Sequence, residues 1–173
     1  MNLYMKDGVK GNRLRVLFVC YGNSCRSQMA EALANKLGQG KVRAFSAGTH
    51  PLGVISVNTR LVLTERGLTL AGHWSKGLED VPISEMDVVV EMGYGVNCRL
   101  TGDFKGRVIR WHIPDPYLLE RDYFRDVRDV IESEVRRLLA DLARESGGRE
   151  GRKSKFEDRN SKTEGGQRAR KSG

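Results

Sequence analysis

The run Val16-Leu17-Phe18-Val19-Cys20-Tyr21-Gly22-Asn23-Ser24-Cys25-Arg26-Ser27-Gln28-Met29-Ala30-Glu31 changes character twice. It opens as a short apolar run, breaks at Gly22-Asn23, and resumes with helix-forming residues from Ser27 to Leu37. That pattern predicts a buried strand, a tight turn and a helix N-terminus. A cysteine then closes the strand and an arginine opens the helix. In such a turn successive backbone N–H groups curl around one point and make an anion-binding concavity, to which the helix dipole adds its positive end. The spacing Cys20-x5-Arg26 puts a thiol at the bottom of that concavity and a guanidinium at its rim. The stretch is built to hold a phosphate-like oxyanion over sulfur.

The rest of the chain supplies a matching frame. Residues 15–20 are too continuously apolar for a half-exposed strand and fit the centre of a parallel sheet. Helix 27–37 stops at Gly38. Further strands are expected over 42–47, 88–92 and 107–111, and a second helix over 56–66. Residues 74–82 read as irregular with room for a helical turn, and 95–100 as a short helix or turn. A last helix over 124–144 shows apolar positions at Phe124, Val127, Ile131, Val135, Leu138 and Leu142, with Glu132 and Arg136 paired on its wet face. Strands alternating with helices predict an α/β fold, a doubly wound four-stranded parallel sheet with helices on both faces. Ligands bind such sheets outside the carboxyl ends of the strands. The loops after Cys20, Ala47 and Met92 and the loop holding Asp115 therefore emerge together.

Cys20-Tyr-Gly-Asn-Ser-Cys-Arg-Ser27, followed by Met29-Ala30-Glu31, resembles the signature loop of the low-molecular-weight protein-tyrosine phosphatases. It is also similar to that of the thioredoxin-coupled arsenate reductases, which share the fold. The likeness continues in Ser46-Ala47-Gly48-Thr49, in Gly67 to His73, in Asp87-Val88-Val89-Val90 and in Asp115-Pro116-Tyr117, and spans roughly residues 14–142. The resemblance implies hydrolysis of phosphotyrosine or another aryl phosphate monoester through a phosphocysteine intermediate, with no metal or organic cofactor. The substrate would be a phosphotyrosine protein or a small aryl phosphate.

Each residue in the motif has a chemical reason to be there. A cysteine at a helix N-terminus beside an arginine is readily held as the thiolate, the form that attacks phosphorus, so Cys20 is the candidate nucleophile. Arg26 offers a planar fork for two oxygens at once, and a positive charge in the first turn opposes the helix dipole, so something anionic should compensate it. Gly22 and Asn23 supply the backbone conformations that aim the amides inward, with Ser24 and Cys25 completing the cradle. Ser27 is expected to cap the helix and, by resemblance, to donate to the thiolate. Asp115 is the candidate general acid and base, although Asp-Pro is also a common turn dipeptide. Tyr21 and Tyr117 could wall a slot for a flat ring.

Cys25 and Cys98 bear on a second reading. By resemblance, an arsenate reductase needs two relay cysteines in the loop after the third strand; Met92 stands where the first is expected and only Cys98 follows. In that reading Cys98 is a lone resolving thiol, or Cys25 closes a disulfide on oxidised Cys20, and a thioredoxin-type reductant is the partner. The stretch Ser24 to Gln28, with Trp111 and Pro114, lies nearer the reductases than most phosphatases. His50, His73 and His112 have no metal-ligand spacing.

Composition bounds these readings. A chain of 173 residues is one ordinary domain. It divides into a loose leader over 1–13, the α/β domain over 14–144 and a tail over 145–173 that reads as disordered and basic. The tail holds nine of the 30 lysines and arginines but only five of the 22 acids, and accounts for much of the net charge of +8. Its charges alternate without a stacking platform of aromatics, which argues against a nucleic-acid partner. Three cysteines, an odd number, and no apolar leader point to a reducing, cytoplasmic setting with free thiols. No apolar window approaches the roughly 18 residues a membrane span requires.

Overall fold

The computed structural model describes residues 13–98, 100 and 103–160, with side chains as far as 146. By internal contacts the chain divides into two compact units, 1–136 and 137–173. The first is built on strand β1 (Leu14–Cys20), helix α1 (Arg26–Leu37), strand β2 (Val42–Gly48), helix α2 (Val57–Thr64), strand β3 (Val88–Met92) and strand β4 (Arg107–Trp111). Helix α3 (Arg121–Asn160) begins in the first unit and supplies the described part of the second.

All strands are parallel and stand in the order β2-β1-β3-β4. The most apolar strand lies inside, as its composition demands: Leu17, Phe18 and Val19 are fully buried between β2 and β3. Alternation splits the sheet's side chains between two layers. Leu17, Val19, Phe45, Ala47 and Val89 form one core with Val81, Met86, Val96 and Cys98. Two single-turn 3-10 helices, Leu78–Asp80 and Ile83–Glu85, contribute Leu78 and Ile83 to it. The opposite face bears Phe18, whose ring centre lies 5.5 Å from that of Trp111. Helix α1 packs along β1 and β2 through Met29, Ala30, Leu33 and Ala34. Burying a side chain such as Phe18 stabilises the fold by about 1.5–3 kcal/mol.

The expected strands form within a residue of their predicted limits, and the α/β class holds. Helix α3 differs at both ends: it starts at Arg121 rather than 124 and runs to Asn160 rather than stopping at 144. Gly147, Gly148 and Gly151, which suggested an end, cost a helix about 1 kcal/mol each relative to alanine. The arginines, glutamates and lysines around them are good helix formers and carry it through. Residues 145–160, expected as disordered tail, are thus helical in backbone. The leader over 1–12 and the remainder of the tail, 161–173, lie outside the described residues. Glu132 and Arg136 pair as the spacing predicts, at 2.6 Å. Among the described residues no helix is long and apolar enough to cross a membrane.

From β1 the chain moves through α1 to β2 on one side, then crosses to β3 and β4 on the other. The strand order therefore reverses beside β1, and Cys20 is its last residue. That is the position where an open α/β sheet leaves a crevice.

Candidate active site

The loop between Cys20 and Arg26 is held from outside by its carbonyls. Tyr21 O accepts from His50 N at 2.8 Å, Gly22 O from Leu52 N at 3.1 Å, and Ser24 O from Thr59 Oγ1 at 3.0 Å. A loop with its carbonyls turned outward presents its amides inward, the arrangement an anion needs. Asn23 adopts φ +46°, the left-handed region that asparagine tolerates best after glycine. Gly22 does not share that conformation; its role is spatial, since a Cβ there would lie 2.9 Å from the Leu52 side chain. The expectation that both residues supply unusual backbone angles is corrected in that respect.

Cys20 Sγ lies 3.0 Å from Ser27 Oγ, both fully inside the protein. Ser27 does not cap α1, contrary to expectation: the cap position is Cys25, and no side chain closes a cap bond there. Its hydroxyl is drawn instead to the sulfur and to Asn23 Nδ2, which donates to it at 2.8 Å. Asn23 Nδ2 also donates to Ser46 Oγ at 2.9 Å, and its Oδ1 accepts from Gln28 Nε2 and from the backbone N–H of Lys76, each at 2.9 Å.

Arg26 is buried although it carries a charge. Its NH1 donates to Ile113 O at 3.3 Å, and its NH2 pairs with Asp115 Oδ2. The anionic compensation that a first-turn arginine requires thus comes from Asp115, on the loop after β4. Among the described residues nothing accepts from Arg26 Nε, which is also buried. A buried N–H donor left unmet costs free energy, and an oxyanion over the loop would meet it. Gly93 makes room for this arginine: it has φ +114°, and a Cβ on it would collide with Arg26 NH1. Asp115 Oδ1 accepts from Tyr117 N at 3.2 Å, so the carboxylate serves its own turn as well as facing the arginine.

Cys20, Tyr21, Gly22, Ser24, Cys25, Arg26, Asp115 and Tyr117 line one cavity of about 110 Å³, joined by Leu52, which sequence reasoning did not single out. Tyr21 is half exposed at its mouth and stacks on His50 at 4.5 Å. Asn23 and Ser27 stand behind the cavity and support it. Cys98 is not brought to it. That residue packs with Leu17 and Val19, and burial, followed by the charge of Glu91, pushes its thiol up to about 12. Cys25 does reach the cavity, but burial pushes its thiol up to about 11, with a hydrogen bond to Thr59 working the other way. At neutral pH both therefore stay protonated. Glu31, Ser46, Gln28 and Lys76 form a buried polar layer beneath the loop that the sequence did not announce. Among the described residues no group of three or more His, Cys, Asp or Glu is placed to hold a metal ion.

Comparison with known proteins agrees with this geometry. A family model described as low molecular weight phosphotyrosine protein phosphatase matches residues 15–147. A glutaredoxin arsenate reductase from Synechocystis is 33% identical over 135 residues, covering 75% of this chain and 98% of that one. An arsenate reductase from Bacillus cereus is 31% identical over 128 residues, covering 73% and 94%. Among solved structures, an arsenate reductase in its phosphate-binding state superposes with a TM-score of 0.68 at 33% identity, over 75% of this chain and 98% of that one. The YwlE arginine phosphatase, as a mutant with a phosphorylated active-site serine, superposes with 0.66 at 26% identity, over 75% and 96%.

Proposed function

The chain belongs to the low molecular weight phosphotyrosine protein phosphatase family, and from that premise we propose that it is an arsenate reductase that draws its second thiol from another molecule. The observation that carries the proposal is the pairing of Cys20 with Arg26 in one cavity, in a chain whose similar relatives bear the name arsenate reductase. In this reading the Cys20 thiolate attacks arsenic(V) held by the loop amides and Arg26. A sulfur–arsenic bond forms, and one arsenate oxygen leaves as water after taking up protons. A thiol then attacks Cys20 Sγ, the sulfur–arsenic bond breaks, and its electron pair stays on arsenic, which departs as arsenite. Cys20 is left in a disulfide, and a second thiol reduces it.

The attacking thiol must be a thiolate within reach. Cys98 lies in the core with Leu17 and Val19, and Cys25, although at the cavity, is held protonated by burial. The reductant is therefore an external thiol of the glutathione, glutaredoxin or thioredoxin kind. Arsenate, glutathione and glutaredoxin, or thioredoxin in their place, should yield arsenite, and Cys98→Ala should still do so. Hydrolysis of an aryl phosphate without any arsenite from the same preparation reverses the choice.

A specific observation favours the second reading, aryl phosphate hydrolysis. The Asp115 carboxylate faces the cavity beside Arg26, where it could protonate a departing phenolate, and Tyr21 and Tyr117 stand at the opening. Both readings share Cys20 as nucleophile and Arg26 as oxyanion clamp.

A further inference from the structure

Two thiols line the oxyanion cavity, and the chemistry above uses only one of them. Cys20 and Cys25 are 2% and 4% exposed and border the same space. They stand at the two ends of the loop, Cys20 closing β1 and Cys25 at the cap position of α1. Charge on Cys20 is near enough to act on the Cys25 thiol. Cys98 lies apart, packed with Leu17 and Val19.

Sulfur is a soft donor and selects soft, thiophilic centres over hard ones. Three-coordinate arsenic(III) is such a centre, and two thiols take it as a chelate. The first sulfur–arsenic bond holds the arsenic beside the second thiol, which then reacts as if it were at high local concentration. Size and charge suit the guest. A cavity that admits arsenate admits arsenite, which has one oxygen fewer. Arsenous acid is uncharged at neutral pH, and Arg26 has its counterion in Asp115 without it.

Burial keeps Cys25 protonated, which bars it from attacking sulfur as a thiolate. Condensation with arsenous acid makes no such demand. Each thiol hydrogen leaves with an arsenic hydroxyl as water, so two sulfur–arsenic bonds replace two arsenic–oxygen bonds. Where Cys20 starts as the thiolate, one proton comes from solvent. Arsenic stays trivalent, nothing is oxidised, and its third oxygen remains as hydroxyl. We propose that Cys20 and Cys25 together form a dithiol site for arsenic(III). The consequence for turnover rests on the arsenate reading: the product arsenite is retained by both sulfurs and blocks the next arsenate.

The test takes arsenite as the probe, on the full reduced chain, and reads binding rather than turnover. Native mass spectrometry and calorimetry should find one arsenic bound per chain in the parent and in Cys98→Ala. Affinity should fall by about 100-fold or more in Cys25→Ala, the scale of a lost chelate partner. Undiminished affinity in that variant overturns the proposal, and so does an equal loss in Cys98→Ala. Should Cys25→Ala not fold, the parent decides alone. Trypsin cuts after Arg15 and Arg26, so Cys20 and Cys25 fall in one peptide, residues 16–26. With arsenite bound, both sulfurs of that peptide should escape alkylation by iodoacetamide, and 2,3-dimercaptopropanol should restore it. Protection of Cys20 alone, or arsenic on the peptide holding Cys98, overturns the site. Arsenite held by both thiols in a protein that forms none from arsenate keeps the site and sinks the reading above. Arsenite formed but not held does the reverse.

Discussion

The guanidinium of Arg26 and the carboxylate of Asp115 meet across 89 residues of sequence, the arginine buried and the aspartate half exposed. An oxyanion entering the loop competes with Asp115 for the same nitrogen. Asp115→Asn should therefore bind inorganic phosphate at least as tightly as the parent, measured by calorimetry. Its hydrolysis of aryl phosphates should fall by about 100-fold or more, most for poor leaving groups. Weaker phosphate binding, or an equal loss for every leaving group, would remove Asp115 as the acid.

Replacing Cys20, the proposed nucleophile, separates binding from chemistry. Cys20→Ser keeps the loop amides and Arg26, so phosphate or arsenate should still protect the protein against thermal unfolding. Both arsenite formation and phosphate ester hydrolysis should disappear. Residual turnover above a few per cent would assign the reaction to another group.

Stability should decline in mildly alkaline solution. The Cys98 thiol has an ordinary value of 9.0 and is pushed up to about 12 in the fold, and Cys25 from 9.0 to about 11. Above pH 9 the unfolded chain releases these protons while the native protein retains them, so unfolding is favoured as pH rises. The melting temperature should fall between pH 9 and 11, and Cys98→Ala should flatten that slope. A slope identical in the variant would contradict the buried, protonated thiol.

Gly93 lies in a left-handed conformation beside Arg26, so a side chain there is strained. Gly93→Ala meets a φ of +114° and a clash with Arg26 NH1. A loss of about 1–3 kcal/mol in stability is expected from the backbone alone. Phosphate affinity should fall with it, because the arginine must move. An alanine variant that binds phosphate normally would show the fork to be free of this constraint.

The sequence made legible whatever rests on neighbours in the chain. Strand β1, its turn and α1 follow from periodicity, and the left-handed turn from Asn23. Ser27 shows the limit, for local rules assign a serine near a helix start to capping, while the actual hydroxyl turns to a sulfur seven residues earlier. Lys76 was hidden for a related reason. A lysine in an irregular stretch reads as solvated, and only the approach of Glu31 and Ser46 from two other elements reveals that it is buried. The end of α3 is not legible in the sequence because glycine penalises a helix without forbidding it.

The placement of Cys98 has a consequence for how catalysis would be throttled. Cys98 is walled off beside Leu17 and Val19, and burial holds the Cys25 thiol protonated at the cavity, so in the arsenate reading the chain lends no electrons of its own. Under the arsenate reading each cycle must borrow from outside through the same opening that admits the oxyanion. Saturating arsenate would then stall turnover at low reductant, as the two visitors contend for one doorway.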